Sequence, residues 1–282
     1  EGIRKEGERT FAVPALTPGL ADGLLTAGGP AGLTRGSGGL TVINPVLTLR
    51  DSLDPREDVV VLRYQTDQTD VAPLRIVTAD DFDGESWRPG TRDVTRRNRV
   101  TSGLPTAPGL TSAIPRSPYS MRVEIGPNLN QDFLPLPYPT TQIDIRGNWL
   151  FDSTSLNVIG DGETVRDKRY DVQYLAVRPT ADQLSGAPPA NPPGPPDAYT
   201  RLPSNLPESV RRAAVRVTRG SANRYDQALA LQEWFRTSGR FTYSIDAPDG
   251  SGGDAVATFL RERRGFCVQF SSAMAVMARS LG

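Results

Sequence analysis

The clearest pattern in the chain is an alternation of apolar and polar residues over Arg169–Val177, which is strict from Arg169 to Tyr174. The apolar set is Tyr170, Val172, Tyr174 and Ala176. Because successive side chains of a strand point to opposite faces, this period of two predicts a strand with one buried face. We therefore expect Tyr170, Val172 and Tyr174 to lie on the buried side of an antiparallel sheet.

Other segments of the first two thirds of the chain share this character. Val59–Tyr64 and Leu74–Thr78 are short apolar runs rich in β-branched residues, and Tyr119–Ile125 alternates. Turn-forming clusters such as Asp81–Gly84 separate these segments. Several short runs divided by turns are typical of an antiparallel sheet or sandwich.

The period changes to that of a helix after Tyr199. Apolar residues recur three and four positions apart, which predicts four helices that begin near Pro207, Asn223, Asp254 and Cys267. In the last helix the predicted apolar face is Cys267, Phe270, Met274, Met277, Ala278 and Leu281. Gly265 is expected to end the helix before it.

These patterns divide the chain into four parts and predict an α+β fold. They are an irregular glycine-rich arm at 1–40, an antiparallel β-domain at 41–185, a proline-rich linker at 186–199, and a helical domain at 200–282. Six prolines lie between Pro188 and Pro196, and such a run favours a stiff, extended spacer.

Composition excludes several functions. The chain has 32 basic and 32 acidic residues among 282, so no basic excess is available for nucleic acid. It contains one cysteine and no histidine, which rules out a disulfide within the chain, the usual zinc sites and a complete Ser-His-Asp or Cys-His-Asp triad. We expect no metal and no cofactor.

An acidic cluster runs through Asp80, Asp81, Asp83 and Glu85. It lacks the twelve-residue spacing and terminal glutamate of an EF-hand loop. Asp83-Gly84 between strand-like runs is instead a hairpin signal, so we interpret this segment as a turn.

Cys267 is the one residue whose chemistry points to catalysis. It follows Gly265-Phe266 and begins a predicted helix, where the helix dipole and free backbone amides favour a thiolate. The same amides can stabilise an oxyanion. Free cysteines are more often buried structural residues, so both interpretations remain open on the residues alone.

The stretch Phe259–Gly282, FLRERRGFCVQFSSAMAVMARSLG, resembles the nucleophile segment of the transglutaminase-like superfamily. Asp226–Gln232 and Phe241–Ser244 are similar to the helix and short strand before that cysteine. Phe82-Asp83-Gly84 with Trp87, together with the proline-rich linker, resembles the TgpA-type bacterial subgroup, whose members are membrane proteins. The strong likeness covers about residues 200–282, and a weaker one covers about residues 40–90.

The resemblance implies a fold and a mechanism. Residues 200–282 would be the helical first half of a papain-like transglutaminase core, with Cys267 attacking a protein or peptide amide to form a thioester. Arg279 and Gly282 match the family's Arg-x-x-Gly segment, and the family's His and Asp lie beyond it. We therefore expect this chain alone to be catalytically incomplete. Gln269, two residues after the cysteine, is expected on the surface or in packing.

The resemblance also implies a location outside a bacterial membrane, periplasmic or extracellular. No apolar run approaches the roughly 18 residues that a membrane helix needs, so anchoring would come from segments outside this chain. Protein or peptide substrates and cell-envelope partners are expected. The alternatives are a non-enzymatic envelope scaffolding module and, on residues 41–180 alone, a carbohydrate-binding β-domain. The latter needs exposed Trp87 or Trp149, for which a core position is the better interpretation.

Overall fold

A computed structural model describes residues 9–14, 34–36, 40–42, 47–48, 58–90, 94–95, 97–188, 199–244 and 254–282. Most of the predicted arm and linker lies outside these residues. The chain divides into two compact units. The first comprises Glu1–Pro45, Asp54–Thr78 and Gly90–Pro179, and the second comprises Val46–Leu53, Ala79–Pro89 and Thr180–Gly282. The predicted domain limits stay predictions, but the second unit takes in three segments of the predicted β-domain, at 46–53, 79–89 and 180–185.

Strands dominate the first two thirds of the chain and helices the last third. The strands are β1 (Arg9–Pro14), β2 (Thr34–Gly36), β3 (Leu40–Val42), β4 (Leu47–Thr48), β5 (Asp58–Thr66), β6 (Asp81–Phe82), β7 (Ser86–Arg88), β8 (Arg116–Ile125), β9 (Thr140–Ile145), β10 (Trp149–Phe151), β11 (Val158–Gly160), β12 (Arg169–Val177), β13 (Thr242–Tyr243) and β14 (Arg264–Gly265). The helices are α1 (Ala181–Ser185), α2 (Glu208–Val217), α3 (Arg224–Glu233), α4 (Ala255–Glu262) and α5 (Cys267–Arg279), with a 3₁₀ turn at Val100–Ser102 and a π-helical turn at Trp234–Ser238.

The first unit is built on a five-stranded antiparallel sheet in the order β1-β5-β8-β12-β9. The predicted alternation in β12 is confirmed, because Tyr170, Val172 and Tyr174 are buried and the residues between them are exposed. The Tyr170 hydroxyl donates to the carbonyl of Pro135 at 2.6 Å, which satisfies its polar group inside the core.

Strand β1 corrects the prediction of an irregular arm at its start. Arg9–Pro14 pairs antiparallel with β5 and lies at the edge of the sheet. The free edge of β5 offers backbone groups that need partners, and β1 supplies them despite weak periodicity of its own. Local pattern could not reveal this because the pairing depends on a distant strand.

The core of the first unit also contains Trp149, which is 1% exposed and starts the β10–β11 hairpin. Its indole nitrogen donates to the carbonyl of Arg146 at 3.2 Å. A buried Trp149 removes one aromatic on which carbohydrate binding by the β-domain would depend.

Helices form the second unit for the local reasons that the sequence predicts. The Asn223 side chain accepts from the backbone amide of Asp226 and caps α3, as expected.

Helix α4 ends differently from the prediction. Its last turn closes at Arg263, which has a left-handed φ of 54°, whereas Gly265 lies in β14. A left-handed residue that frees the chain from the helix need not be glycine.

The acidic cluster forms a turn, as interpreted, between β6 and β7. Asp83 Oδ1 accepts from the backbone amides of Glu85 and Ser86, and Gly84 has a φ of 110°. Asp83 Oδ2 also pairs with Arg88 at 3.0 Å. This hairpin belongs to the second unit, where Phe82 and Trp87 join the core among the helices.

Candidate functional site

Cys267 is the first residue of α5, as predicted, and its side chain is exposed. The residue before it, Phe266, has extended backbone geometry and is 2% exposed. A phenylalanine side chain has no oxygen with which to accept from the first amides of a helix. The first turn of α5 therefore keeps backbone N–H donors beside the thiol.

Gln269 holds the start of α5 from inside. Its Oε1 accepts from the backbone amide of Phe266 at 3.1 Å, and the side chain is buried. Packing rather than the surface is thus the correct interpretation of Gln269. Gly265 makes room for this contact, since a Cβ at that position would overlap Gln269 Oε1 and lie 2.7 Å from the ring of Phe259.

The apolar face predicted for α5 is correct at Met277, which is buried, but wrong at Cys267 and Ala278, which are exposed. The buried residues are Gln269, Ser272, Ala273, Val276 and Met277. The predicted face is instead partly exposed, with Phe270 and Met274 half-buried and Cys267 open. Ala273 lies in the core of the second unit, whereas Phe270 and Met274 pack against that core only partly buried.

A two-stranded parallel ladder brings Tyr243 next to the nucleophile candidate. Tyr243 pairs with Gly265, and the Ser244 amide donates to the Gly265 carbonyl at 2.7 Å. Because Gly265 lies two residues before Cys267, this register places the end of β13 beside the start of α5. Tyr243 also stacks on Phe270, with ring centroids 6.4 Å apart.

The hydroxyl of Tyr243 interacts with both the thiol and the backbone of Cys267. Partial burial, followed by the charge of the sulfur and their side-chain hydrogen bond, raises the pKa of Tyr243 above its ordinary value, while the bond from the Cys267 amide lowers it. The phenol is therefore protonated at neutral pH. One donor hydroxyl and one backbone N–H thus lie together beside the sulfur.

Sequence reasoning placed Phe241-Thr242-Tyr243 in an extended segment but missed the role of Tyr243. The only signal for Tyr243 in the sequence was that its segment comes shortly before the cysteine. That spacing does not show that the segment pairs in parallel with the residues just before Cys267. Arg261, one of the arginines shortly before Cys267 in the sequence, pairs with Glu262 at 3.1 Å.

No group of three or more His, Cys, Asp or Glu side chains that could hold a metal occurs among the residues that the structure describes. Over the same part of the chain, no helix is both long and apolar enough to cross a membrane.

Two family models match the chain. The TgpA N-terminal domain matches residues 10–181, and the transglutaminase-like superfamily matches residues 211–282. The uncharacterized protein YebA of Bacillus subtilis strain 168 is 39% identical over 90 residues. That stretch is 30% of this chain and 12% of YebA, so the chain spans only a small part of that relative's length.

A solved structure, the periplasmic domain of TgpA from Pseudomonas aeruginosa bound to ethylmercury, superposes with a TM-score of 0.57. The alignment covers 85% of this chain and 79% of that chain at 18% identity, which shows the fold alone. The predicted α+β fold and the resemblance in the sequence are confirmed. The chain belongs to the TgpA N-terminal domain family, followed along the chain by a transglutaminase-like segment.

Proposed function

We propose that Cys267 is the nucleophile of a transglutaminase-like enzyme that acts on protein or peptide amides. The observation that carries this proposal is the exposed thiol at the first position of α5, beside the hydroxyl of Tyr243. An exposed cysteine sulfur can reach an amide carbonyl, and the thiolate is the form that attacks the carbonyl carbon.

In the proposed reaction the Cys267 sulfur forms a bond to the amide carbonyl carbon, and the carbonyl π electrons move to oxygen. The Cys267 N–H, which now donates to the Tyr243 hydroxyl oxygen, and the Tyr243 O–H are the two donors that would receive this oxyanion. The C–N bond then breaks, and the amine leaves with a proton to give a thioester. An amine or water releases the acyl group.

The leaving amine needs a proton donor, a role that histidine fills most often. This chain contains no histidine, and arginine stays protonated at neutral pH and cannot shuttle a proton. General acid–base catalysis contributes about 10²–10⁴-fold. We therefore assign this step to residues outside these 282.

The location is proposed as the outer face of a bacterial cell membrane. The support is the likeness to a domain described as periplasmic, together with the TgpA family match. The membrane anchor would lie in segments outside this chain. Substrates would then be proteins or peptides of the cell envelope.

The test compares the full-length protein with the 282-residue chain. Each is incubated with a glutamine-containing peptide, and the thioester is detected by intact mass and ammonia release. The full-length protein is expected to form the acyl-enzyme and turn over, and Cys267→Ala should abolish both.

The 282-residue chain should be alkylated by iodoacetamide at Cys267, its one cysteine, without turnover. Full-length Cys267→Ala protein that retains turnover would overturn the assignment of the nucleophile. A full-length protein without any thioester, but with specific binding to envelope proteins, would favour the scaffolding alternative. Turnover by the 282-residue chain, lost in its Cys267→Ala form, would show that no histidine is needed.

A further inference from the structure

The β6–β7 hairpin is packed on the helix that carries Cys267. Phe82 and Trp87 stack with centroids 4.6 Å apart, and both are buried in the core of the second unit. The Asp83 turn described above fixes the register of the two short strands. The hairpin is extended to three strands by β4, which pairs antiparallel with β7. Strands this short are marginal alone, so their order depends on what they pack against.

The indole of Trp87 makes a direct hydrogen bond to α5. Its Nε1 donates to Ser272 Oγ at 2.8 Å, and both residues are buried, at 7% and 4% exposed. Ser272 follows Cys267 by five residues, which is about 7.5 Å along a helix. A buried hydrogen bond of this kind holds a single geometry, because breaking it leaves a polar group without water.

A second contact joins the hairpin to the end of the same helix. The Arg279 guanidinium lies over the Trp87 ring, 4.7 Å from its centroid, and donates to the Asp80 carbonyl at 2.5 Å. Its other terminal nitrogen donates to the carbonyl of Arg201 at 3.1 Å. Arg279 is the arginine that matches the Arg-x-x-Gly segment, and Trp87 belongs to the Phe-Asp-Gly element, so two separate sequence signatures meet here.

We propose that Trp87 is a positioning residue for Cys267: through Ser272 and Arg279 the hairpin holds α5 so that its first turn, with the thiol, stays in the reactive arrangement. This inference rests on the proposed function, because it concerns the reactivity of the same cysteine. The helix is held at two points, about 1.4 and about 3.3 turns beyond the thiol. Trp87 itself acts through the helix.

The test measures the alkylation of Cys267 in the full 282-residue chain by iodoacetate and by iodoacetamide. Both reagents react with the same thiolate, but only iodoacetate is charged. The rate constant for iodoacetate divided by that for iodoacetamide therefore reports the electrostatic potential at the sulfur. Because Cys267 is the one cysteine, the reaction has a single site. The ratio for the native chain should exceed that of a cysteine peptide by about two- to five-fold, as the helix terminus attracts the anionic reagent.

Trp87→Phe and Ser272→Ala should each lower this ratio toward that of the peptide, at a temperature where circular dichroism shows a folded chain. Ser272→Ala removes only the hydroxyl and serves if Trp87→Phe does not fold. Trp149→Phe is the matched control, since it also removes a buried indole donor, but in the first unit. It should lower the melting temperature and leave the ratio unchanged.

A Trp87→Phe or Ser272→Ala chain with lowered melting temperature and an unchanged ratio would overturn the inference and leave the proposed function standing. A ratio for the native chain no higher than that of the peptide would overturn both, since no activated thiol would exist to be positioned. A fall in the ratio in Trp149→Phe equal to that in Trp87→Phe would also overturn the inference.

Discussion

At the scale of single residues, the contact between Tyr243 and Cys267 carries the most chemistry. Tyr243 is 60% exposed, so burial of apolar area does not explain its position. Its ring rests on Phe270, and its hydroxyl interacts with the sulfur and amide of Cys267. An exposed aromatic held over a thiol by pairing and stacking is well placed to meet a substrate.

Replacing Tyr243 with Phe should keep the stack on Phe270 and remove the hydroxyl donor. In the full-length protein we expect kcat to fall roughly 10²-fold with little change in KM, the effect of losing one oxyanion donor. Steady-state kinetics with a glutamine peptide measure this change. Tyr119→Phe, in the first unit, is the control. A Tyr243→Phe enzyme with native kcat would remove the hydroxyl from the mechanism.

Tyr170 should make the first unit sensitive to alkaline pH. Complete burial raises the pKa of Tyr170 well above its ordinary value of 10.0. Between pH 10.0 and the raised pKa, the Tyr170 hydroxyl is deprotonated in the unfolded chain but protonated in the folded chain. The free energy of unfolding therefore falls as the pH rises through this range. The slope from one such group reaches about 1.4 kcal/mol per pH unit.

Urea unfolding at pH 9, 10 and 11 tests this, with Tyr170→Phe as the comparison. The variant should lose about 1 kcal/mol at pH 9, because the hydrogen bond to Pro135 is gone, but decline less steeply above pH 10. Equal slopes for the two chains would contradict the prediction.

At the scale of elements, the join between β14 and α5 depends on Gly265. Here strand pairing with β13, the turn into the helix and the Gln269 contact all fall within five residues. The chain has room for this only because position 265 lacks a side chain. The absence of a side chain at Gly265 thus determines where α5 begins and keeps the thiol of Cys267 exposed.

Gly265→Ala should destabilise the second unit by about 1–3 kcal/mol, as expected for an overpacked core position, and should disturb the start of α5. Chemical denaturation measures the first effect, and the alkylation rate of Cys267 measures the second. Gly126→Ala is a suitable control, because its added Cβ would meet its nearest atom, the Val61 carbonyl oxygen, at 3.5 Å. A Gly265→Ala chain as stable as the native one would contradict this prediction, because it would show that the side chains of Phe259 and Gln269 can move aside at no cost in stability.

At the scale of the whole molecule, local pattern predicted the elements but not their long-range partners. Alternation located β12, the Asn223 cap located α3, and the helical spacing of apolar residues from Cys267 located α5, because these signals lie within a few residues of one another. The buried face of α5 was predicted only in part, since it depends on Trp87, 185 residues before Ser272 in the chain. The position of Cys267 at the start of a helix depends on nearby residues and was predicted. The position of Tyr243 beside it depends on the pairing of two separate segments and was not predicted.

The hairpin between Ala79 and Pro89 has a consequence for the order in which the chain is made. Ribosomes add about 5–20 residues per second, so the 185 residues between Trp87 and Ser272 take about 10–40 s to synthesise. Throughout that time Phe82 and Trp87 have no α5 to cover them. The newly made chain therefore leaves these two aromatic side chains uncovered by α5 until its last helix has been synthesised.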